Sequence, residues 1–127
     1  MSDVMNTSAD RDRRQRFGAQ RGRDLYWGIT LGLVVNAATM FMITLGVGVP
    51  KLAITAAIVG SFIFVCINSF DCMDDFKANA DDIGEEERAT HLGKKLLVAP
   101  WGMFKTLVFL IFGAIGICQL QDMWKIF

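Results

Sequence analysis

The sequence predicts an all-α integral membrane protein with three transmembrane helices, arranged as a helical hairpin plus one. Residues 25–49 form a run of 25 residues without a single Asp, Glu, Lys, Arg or His. At about 1.5 Å of rise per residue, such a helix is roughly 37 Å long, which exceeds a hydrocarbon core of about 30 Å. Residues 52–70 are also uncharged, and residues 96–120 are apolar apart from Lys105. Three apolar stretches of this length predict three membrane crossings.

The first two spans are joined too closely for anything but a tight turn. Pro50 interrupts the helical pattern between residues 25–49 and residues 52–70, so these two transmembrane helices form the hairpin. Before the hairpin, residues 1–24 make a polar, Arg-rich cytoplasmic tail. Because few apolar residues occur in this tail, we expect it to be disordered.

Residues 71–95 hold eight of the thirteen acidic residues, so they predict an acidic cytoplasmic loop. The third span has two alternative starts. In one, the helix runs over residues 96–120 with Lys105 inside the membrane. In the other, which we favour, it starts near Trp101 after a surface helix over residues 85–99, and Lys105 snorkels to the headgroups.

The distribution of basic residues predicts the orientation. Residues 1–24 and 71–95 together carry ten Lys and Arg residues, whereas the hairpin turn and the short external tail, residues 121–127, carry only Lys51 and Lys125. Cytoplasmic loops of membrane proteins carry the excess of Lys and Arg. We therefore expect a multi-pass protein of a bacterial inner membrane, with its N-terminus in the cytoplasm and its C-terminus outside.

Small residues recur on one face of each span, and such faces let helix backbones approach closely in lipid. Gly28 and Gly32, for example, have GxxxG spacing. We expect these faces to pack the three helices together or to dock the protein against a partner, while Phe41 and Phe112 face lipid. The predicted helix-packing residues are Gly28, Gly32, Asn36, Ala53, Ala57, Gly60, Gly113 and Gly116.

Polar residues within or beside the spans are candidates for function. Asn36 lies near the middle of the first span, and we favour an interhelical hydrogen bond over a solute or proton path. Asn68, Asp71, Cys72 and Asp75 follow at spacings of three and four, so a continued helix places them on one face. We weigh three interpretations of that face: a solvated helix exit, a docking site for a partner, and a metal or proton site.

Basic side chains flank the spans and predict contact with anionic lipid headgroups. Binding to nucleic acid is not expected, because Phe17 is the sole aromatic residue among these arginines. The three cysteines and the single histidine lack the spacing of a metal or redox site, so no cofactor is expected. The predicted headgroup contacts are Arg13, Arg14, Arg16, Arg21, Arg23 and Lys105.

The sequence contains no nucleophile–base pair, phosphate-cradling loop or metal cluster, so we do not expect an enzyme. Small size, small-residue faces and an acidic cytoplasmic loop favour a non-catalytic accessory or structural subunit of a larger membrane protein complex. Such a subunit acts through helix packing and cytoplasmic protein contacts, with membrane lipids, other membrane protein subunits or further copies of the chain as partners. The alternative is a small oligomeric channel, transporter or holin-like pore.

Overall fold

The computed structural model describes residues 7–46, 48 and 50–125, and each regular element in this part is an α-helix. The elements in chain order are α1 (Ser8–Leu45), α2 (Lys51–Asp81), α3 (Glu85–Arg88), α4 (His91–Leu97) and α5 (Trp101–Trp124). Three of them, α1, α2 and α5, are long and apolar enough to cross a membrane, which confirms the predicted fold class. The predictions for residues 1–6, for Val47 and Val49, and for residues 126–127 lie outside the described residues.

α1 begins at Ser8, so the prediction of a disordered tail is wrong for residues 8–24. A capping box holds the first turn, since the Asp10 N–H donates to the Thr7 hydroxyl oxygen and the Thr7 N–H donates to the Asp10 carboxylate, both at 3.3 Å. The Thr7 hydroxyl also donates to this carboxylate at 2.6 Å, which lowers the pKa of Asp10. Because a helix formed in the membrane extends without a new nucleation step, α1 reaches 38 residues, or about 57 Å.

α2 also continues well beyond its apolar run. Its 31 residues end at Asp81, so the predicted loop over residues 71–95 is helical in its first part. The remainder holds two short helices, α3 and α4, instead of the single surface helix that we favoured over residues 85–99. Thr90 separates the two, because its hydroxyl oxygen accepts from the Gly93 N–H at 3.1 Å and caps α4.

The starts and ends of the remaining helices follow from proline and glycine. α5 begins at Trp101, the later of the two starts considered, directly after Pro100. A proline at a helix start removes an N–H that has no intrahelical partner there. α1 ends at Leu45 and is capped by Gly46, whose φ of 61° lies in the left-handed region that favours glycine.

α1 and α2 pack antiparallel along their common length, and α5 packs mainly against α2. The buried residues of α2 are Ile54, Ile58, Val65, Cys66, Ser69, Cys72, Met73 and Ala80. On α5, Phe112 is only 4% exposed, so the prediction that it faces lipid is wrong. Its ring lies against Gly32, where the missing side chain leaves room for it. Phe41, in contrast, is 64% exposed.

Candidate functional site

Three buried polar side chains meet inside the membrane-spanning part of the bundle: Asn36 and Thr39 of α1 and Gln119 of α5. The Thr39 hydroxyl donates to Gln119 Oε1 at 2.8 Å, and Gln119 Nε2 donates to the backbone carbonyl of Asn36 at 2.9 Å. The Asn36 amide donates to the Gly32 carbonyl of its own helix at 2.8 Å. The two hydrogen bonds of Gln119 join α1 to α5 away from lipid.

The prediction of an interhelical hydrogen bond from the Asn36 side chain is wrong, because its amide bonds the Gly32 carbonyl of α1. The contact with α5 is made by the Thr39 hydroxyl and the Asn36 backbone carbonyl. Sequence reasoning missed Gln119, which supplies both bonds from α5. The signal for Gln119 is its spacing, three residues after Gly116 and seven after Phe112, which places all three on one helix face. A polar residue on the packed face of an apolar helix predicts a hydrogen-bonding partner.

The predicted packing residues divide into two groups. An added Cβ at Gly28 would overlap the Asn68 side chain, and one at Gly32 would overlap the Val65 side chain, so α1 and α2 approach closely at both glycines. The residues that are buried or face a neighbouring helix in this way are Gly28, Gly32, Asn36, Gly113 and Gly116.

The second group, Ala53, Ala57 and Gly60 of α2, is exposed. A Cβ added at Gly60 would meet no atom within 4 Å. Ala57 and Gly60 line an open apolar cleft of about 300 Å³ between α1 and α2, and the cleft is completed by Leu31, Gly32, Val35, Ala56, Ser61 and Phe64. None of these three residues is buried by another helix of the described chain, and their contact with a partner stays a prediction.

α1 covers most of the face predicted for partner docking at the end of α2, although the Asp71 side chain remains 65% exposed. The Arg21 guanidinium lies 2.5 Å from an Asp75 carboxylate oxygen and 3.5 Å from one of Asp71. The Asn68 amide donates to a backbone carbonyl of α1 at 3.2 Å, and Cys72 is fully buried. The same chain thus supplies the basic partner that these acids require. Among the described residues, no three His, Cys, Asp or Glu side chains are grouped as a metal site requires.

The six side chains predicted to contact headgroups also divide. Arg14 pairs with Glu87 at 2.7 Å, Lys105 pairs with Asp74 at 2.5 Å, and Arg21 pairs with the acids of α2. The other three, Arg13, Arg16 and Arg23, are exposed. Half of the predicted set therefore holds the helices together at this end of the bundle.

The three exposed arginines of α1 lie at different distances from the apolar run. Arg23 lies next to the apolar run that starts at Leu25, whereas Arg16 and Arg13 are about 14 and 18 Å from Leu25 along the helix axis. The Debye length at physiological ionic strength is about 8 Å. For an upright α1, Arg23 therefore lies at the depth of the headgroups, while Arg13 and Arg16 lie more than one Debye length beyond the start of the apolar run.

Sequence reasoning also missed that the contact between α1 and α2 continues beyond the apolar runs. A Cβ added at Gly18 would lie 3.3 Å from Asn79 Nδ2, and one at Gly22 would lie 3.7 Å from the Phe76 ring. Gly18 and Gly22 have the same GxxxG spacing as the pair inside the membrane. That repeated spacing is the signal that predicts a longer helical pair.

The opposite end of the bundle has contacts of its own. Trp124 Nε1 donates to the Thr55 hydroxyl oxygen at 3.1 Å, and the Lys51 ammonium lies 5.2 Å from the centroid of the Trp124 ring. These contacts hold the end of α5 against the start of α2.

No protein-family model, curated protein or solved structure matches this chain.

Proposed function

We propose that the protein is a non-catalytic accessory or structural subunit of a larger membrane protein complex. The observation that carries this proposal is the exposed small-residue face of α2, where Ala57 and Gly60 line an open apolar cleft. Association in lipid depends on close van der Waals packing, which small side chains permit. A cleft lined by alanine and glycine therefore favours close packing of a helix from another subunit.

The end of the bundle outside the apolar runs supports protein contacts as well. α1 and α2 continue together there and are joined by the ion pairs of Arg14 with Glu87 and of Arg21 with Asp75. A preformed helical pair loses little conformational entropy on binding, so its exposed charges are available for recognition. The exposed acids at this end include Asp81, Asp82, Glu85 and Glu86.

The same charges are the basis of the proposed orientation. The end of the bundle that holds the start of α1 carries most of the Lys and Arg residues, whereas the opposite end carries Lys51 and Lys125. By the positive-inside rule, the first end faces the cytoplasm. The N-terminus is then cytoplasmic and the C-terminus external, in a bacterial inner membrane.

The alternative of a small oligomeric channel, transporter or holin-like pore draws less support. A pore requires polar groups that face a shared path. Asn36, Thr39 and Gln119 are instead buried within one chain, where they bond to one another or to the backbone. These three polar side chains are thus used within the chain and do not face a shared path.

Native mass spectrometry of the protein in nanodiscs, extracted gently from its own membrane, tests the proposal. We expect a defined assembly that contains other subunits and that is weakened by Ala57→Leu. Ala114→Leu is the matched control, because Ala114 is an exposed alanine of α5. Recovery of the protein without other subunits would contradict the proposed function, and equal effects of the two variants would contradict the assigned face.

A further inference from the structure

Two exposed stripes follow the outer sides of α1 and α2. The α1 stripe consists of Arg16, Arg23, Ala37 and Phe41. The α2 stripe consists of Ala57, Gly60, Asp74 and Asp81. Successive members of each stripe are three, four, seven or fourteen residues apart, so each set lies on one side of its helix.

The charged members of both stripes point away from the contact between α1 and α2 inside the chain, whereas Ala57 and Gly60 of the α2 stripe lie at the edge of that contact, where they line the open cleft. That contact brings Gly18 against Asn79. Arg16 is two residues before Gly18, and Asp81 is two residues after Asn79. Since two residues turn an α-helix by about 200°, Arg16 and Asp81 each lie on the far side of their helix from the neighbouring one.

The antiparallel register places members of the two stripes at equal depth. Gly18 of α1 lies opposite Asn79 of α2. Because the helices are antiparallel, Arg16, two residues before Gly18, lies at the same depth as Asp81, two residues after Asn79. The contacts further along α1 give the same register to within about one residue, or about 1.5 Å of depth. The other level pairs are Arg23 with Asp74, Ala37 with Gly60, and Phe41 with Ala57.

We propose that copies of the chain associate head to tail, with the α1 stripe of one copy against the α2 stripe of the next. Copies inserted in one orientation lie at one depth in the membrane, so residues that are level within a chain are also level between neighbours. Arg16 then lies beside Asp81 of the next copy. Within the bilayer, Ala37 meets Gly60, where two backbones can approach closely.

The charges of the two stripes favour this arrangement over a symmetric one. Within the described chain, Arg16, Arg23 and Asp81 take part in no ion pair. Asp74 pairs with Lys105, but its side chain remains 65% exposed. A contact between two α1 stripes would oppose arginine to arginine, and one between two α2 stripes would oppose aspartate to aspartate. The head-to-tail contact instead brings Arg16 level with Asp81 and Arg23 level with Asp74.

Such a contact joins two different surfaces, so it repeats until a ring closes or a row extends. The inference rests on the proposed function in one respect, since it takes the small-residue face of α2 as a contact surface. It names a second copy of the chain as the occupant of that face. The larger complex then contains several copies of this subunit.

Cysteine cross-linking of full-length protein in native membranes tests the contact. One tagged chain carries Ala37→Cys, a differently tagged chain carries Gly60→Cys, and both carry Cys118→Ser, because Cys118 is the exposed native cysteine. Oxidation is expected to give a dimer that contains both tags. A dimer of two Ala37→Cys chains would show a symmetric contact and overturn the inference. Absence of any dimer would overturn it too.

Charge reversal tests the pairing of Arg16 with Asp81. Arg16→Glu or Asp81→Arg alone is expected to lower the cross-linking yield about fivefold, the scale of an exposed ion pair, and the double variant is expected to restore it. Lys95→Glu, a reversal at an exposed position of α4, is the control and should leave the yield unchanged. A double variant that links no better than the single variants would refute the pairing.

Native mass spectrometry separates failure of this inference from failure of the proposed function. Several copies of the chain together with other subunits would support both. One copy with other subunits would overturn the inference and leave the proposed function in place. Several copies with no other subunit would overturn the proposed function and leave the inference in place. A single chain alone would overturn both.

Discussion

Gly32→Ala is expected to destabilise the helix bundle, whereas Gly60→Ala is not. A Cβ built at Gly32 overlaps the Val65 side chain and lies 2.9 Å from a Phe112 ring carbon. Val65 is 0% and Phe112 is 4% exposed, so both side chains are enclosed by neighbouring atoms, which must shift if these side chains move. Overpacking of this kind costs about 1–3 kcal/mol, and contact on two sides indicates the upper part of that range.

The comparison with Gly60 isolates this overlap. Both glycines lie in helix interiors, so the gain in helix propensity of about 1 kcal/mol from Gly to Ala applies to both variants and cancels in the difference. At Gly60 an added Cβ meets no atom within 4 Å. We therefore expect the free energy of unfolding of Gly32→Ala to be about 2–3 kcal/mol below that of Gly60→Ala.

The assay is reversible unfolding of the purified protein in mixed micelles of rising SDS content, followed by energy transfer between probes on α1 and α5. Gly28→Ala provides a second variant at the α1–α2 contact, where the added Cβ overlaps the Asn68 side chain. Asn68 is only half-buried and can yield, so a smaller loss is expected. Equal stabilities of the Gly32 and Gly60 variants would refute the close approach of α1, α2 and α5 at Gly32.

Three further predictions concern the polar contacts and the topology. Gln119→Leu should lower the free energy of unfolding by only about 1 kcal/mol in the same assay, because interhelical hydrogen bonds in membranes average about 0.6 kcal/mol. Thr39 also retains carbonyl acceptors in its own helix. A loss several times larger would contradict this prediction. Arg21→Gln should lower stability by about 1 kcal/mol, since Asp75 loses its ion pair, whereas the exposed Arg16→Gln should have no effect on the monomer. In whole cells, a membrane-impermeant maleimide should label Gly48→Cys without permeabilisation but Asp81→Cys only after it. Both variants are made in a background without exposed native cysteine. The opposite labelling pattern would contradict the proposed orientation.

The fold class was predictable because membrane spans are encoded by composition over long windows. A run without charged residues over residues 25–49 excludes most alternatives before any packing is considered. The start of α5 at Trp101 was predictable for a similar local reason, since Pro100 limits the helix and Lys105 favours the interface.

The lengths of α1 and α2 were not predictable from composition. Residues 8–24 are polar enough to indicate disorder when they are taken alone, yet they extend a helix already nucleated in the membrane. Phe112 was misassigned because periodicity identifies an apolar face without saying whether lipid or a glycine of another helix covers it. Gln119 was missed since its role depends on a partner 80 residues away in the chain.

The candidate contact surfaces depend on this helical continuity. If residues 8–24 were a disordered tail, Arg16 could take many positions relative to the membrane, and its charge would serve only to attract anionic lipid. Because Gly18 and Gly22 continue the α1–α2 contact outside the apolar runs, the depth of Arg16 and Asp81 is fixed by the packing of the spans within the bilayer. A charge held at a fixed depth and direction can select one neighbour over another. A mobile charge must first be ordered on binding, which costs conformational entropy. The glycines beyond the apolar runs thus fix the position of charges that a disordered tail would leave mobile, and the proposed contact between copies depends on that fixed position.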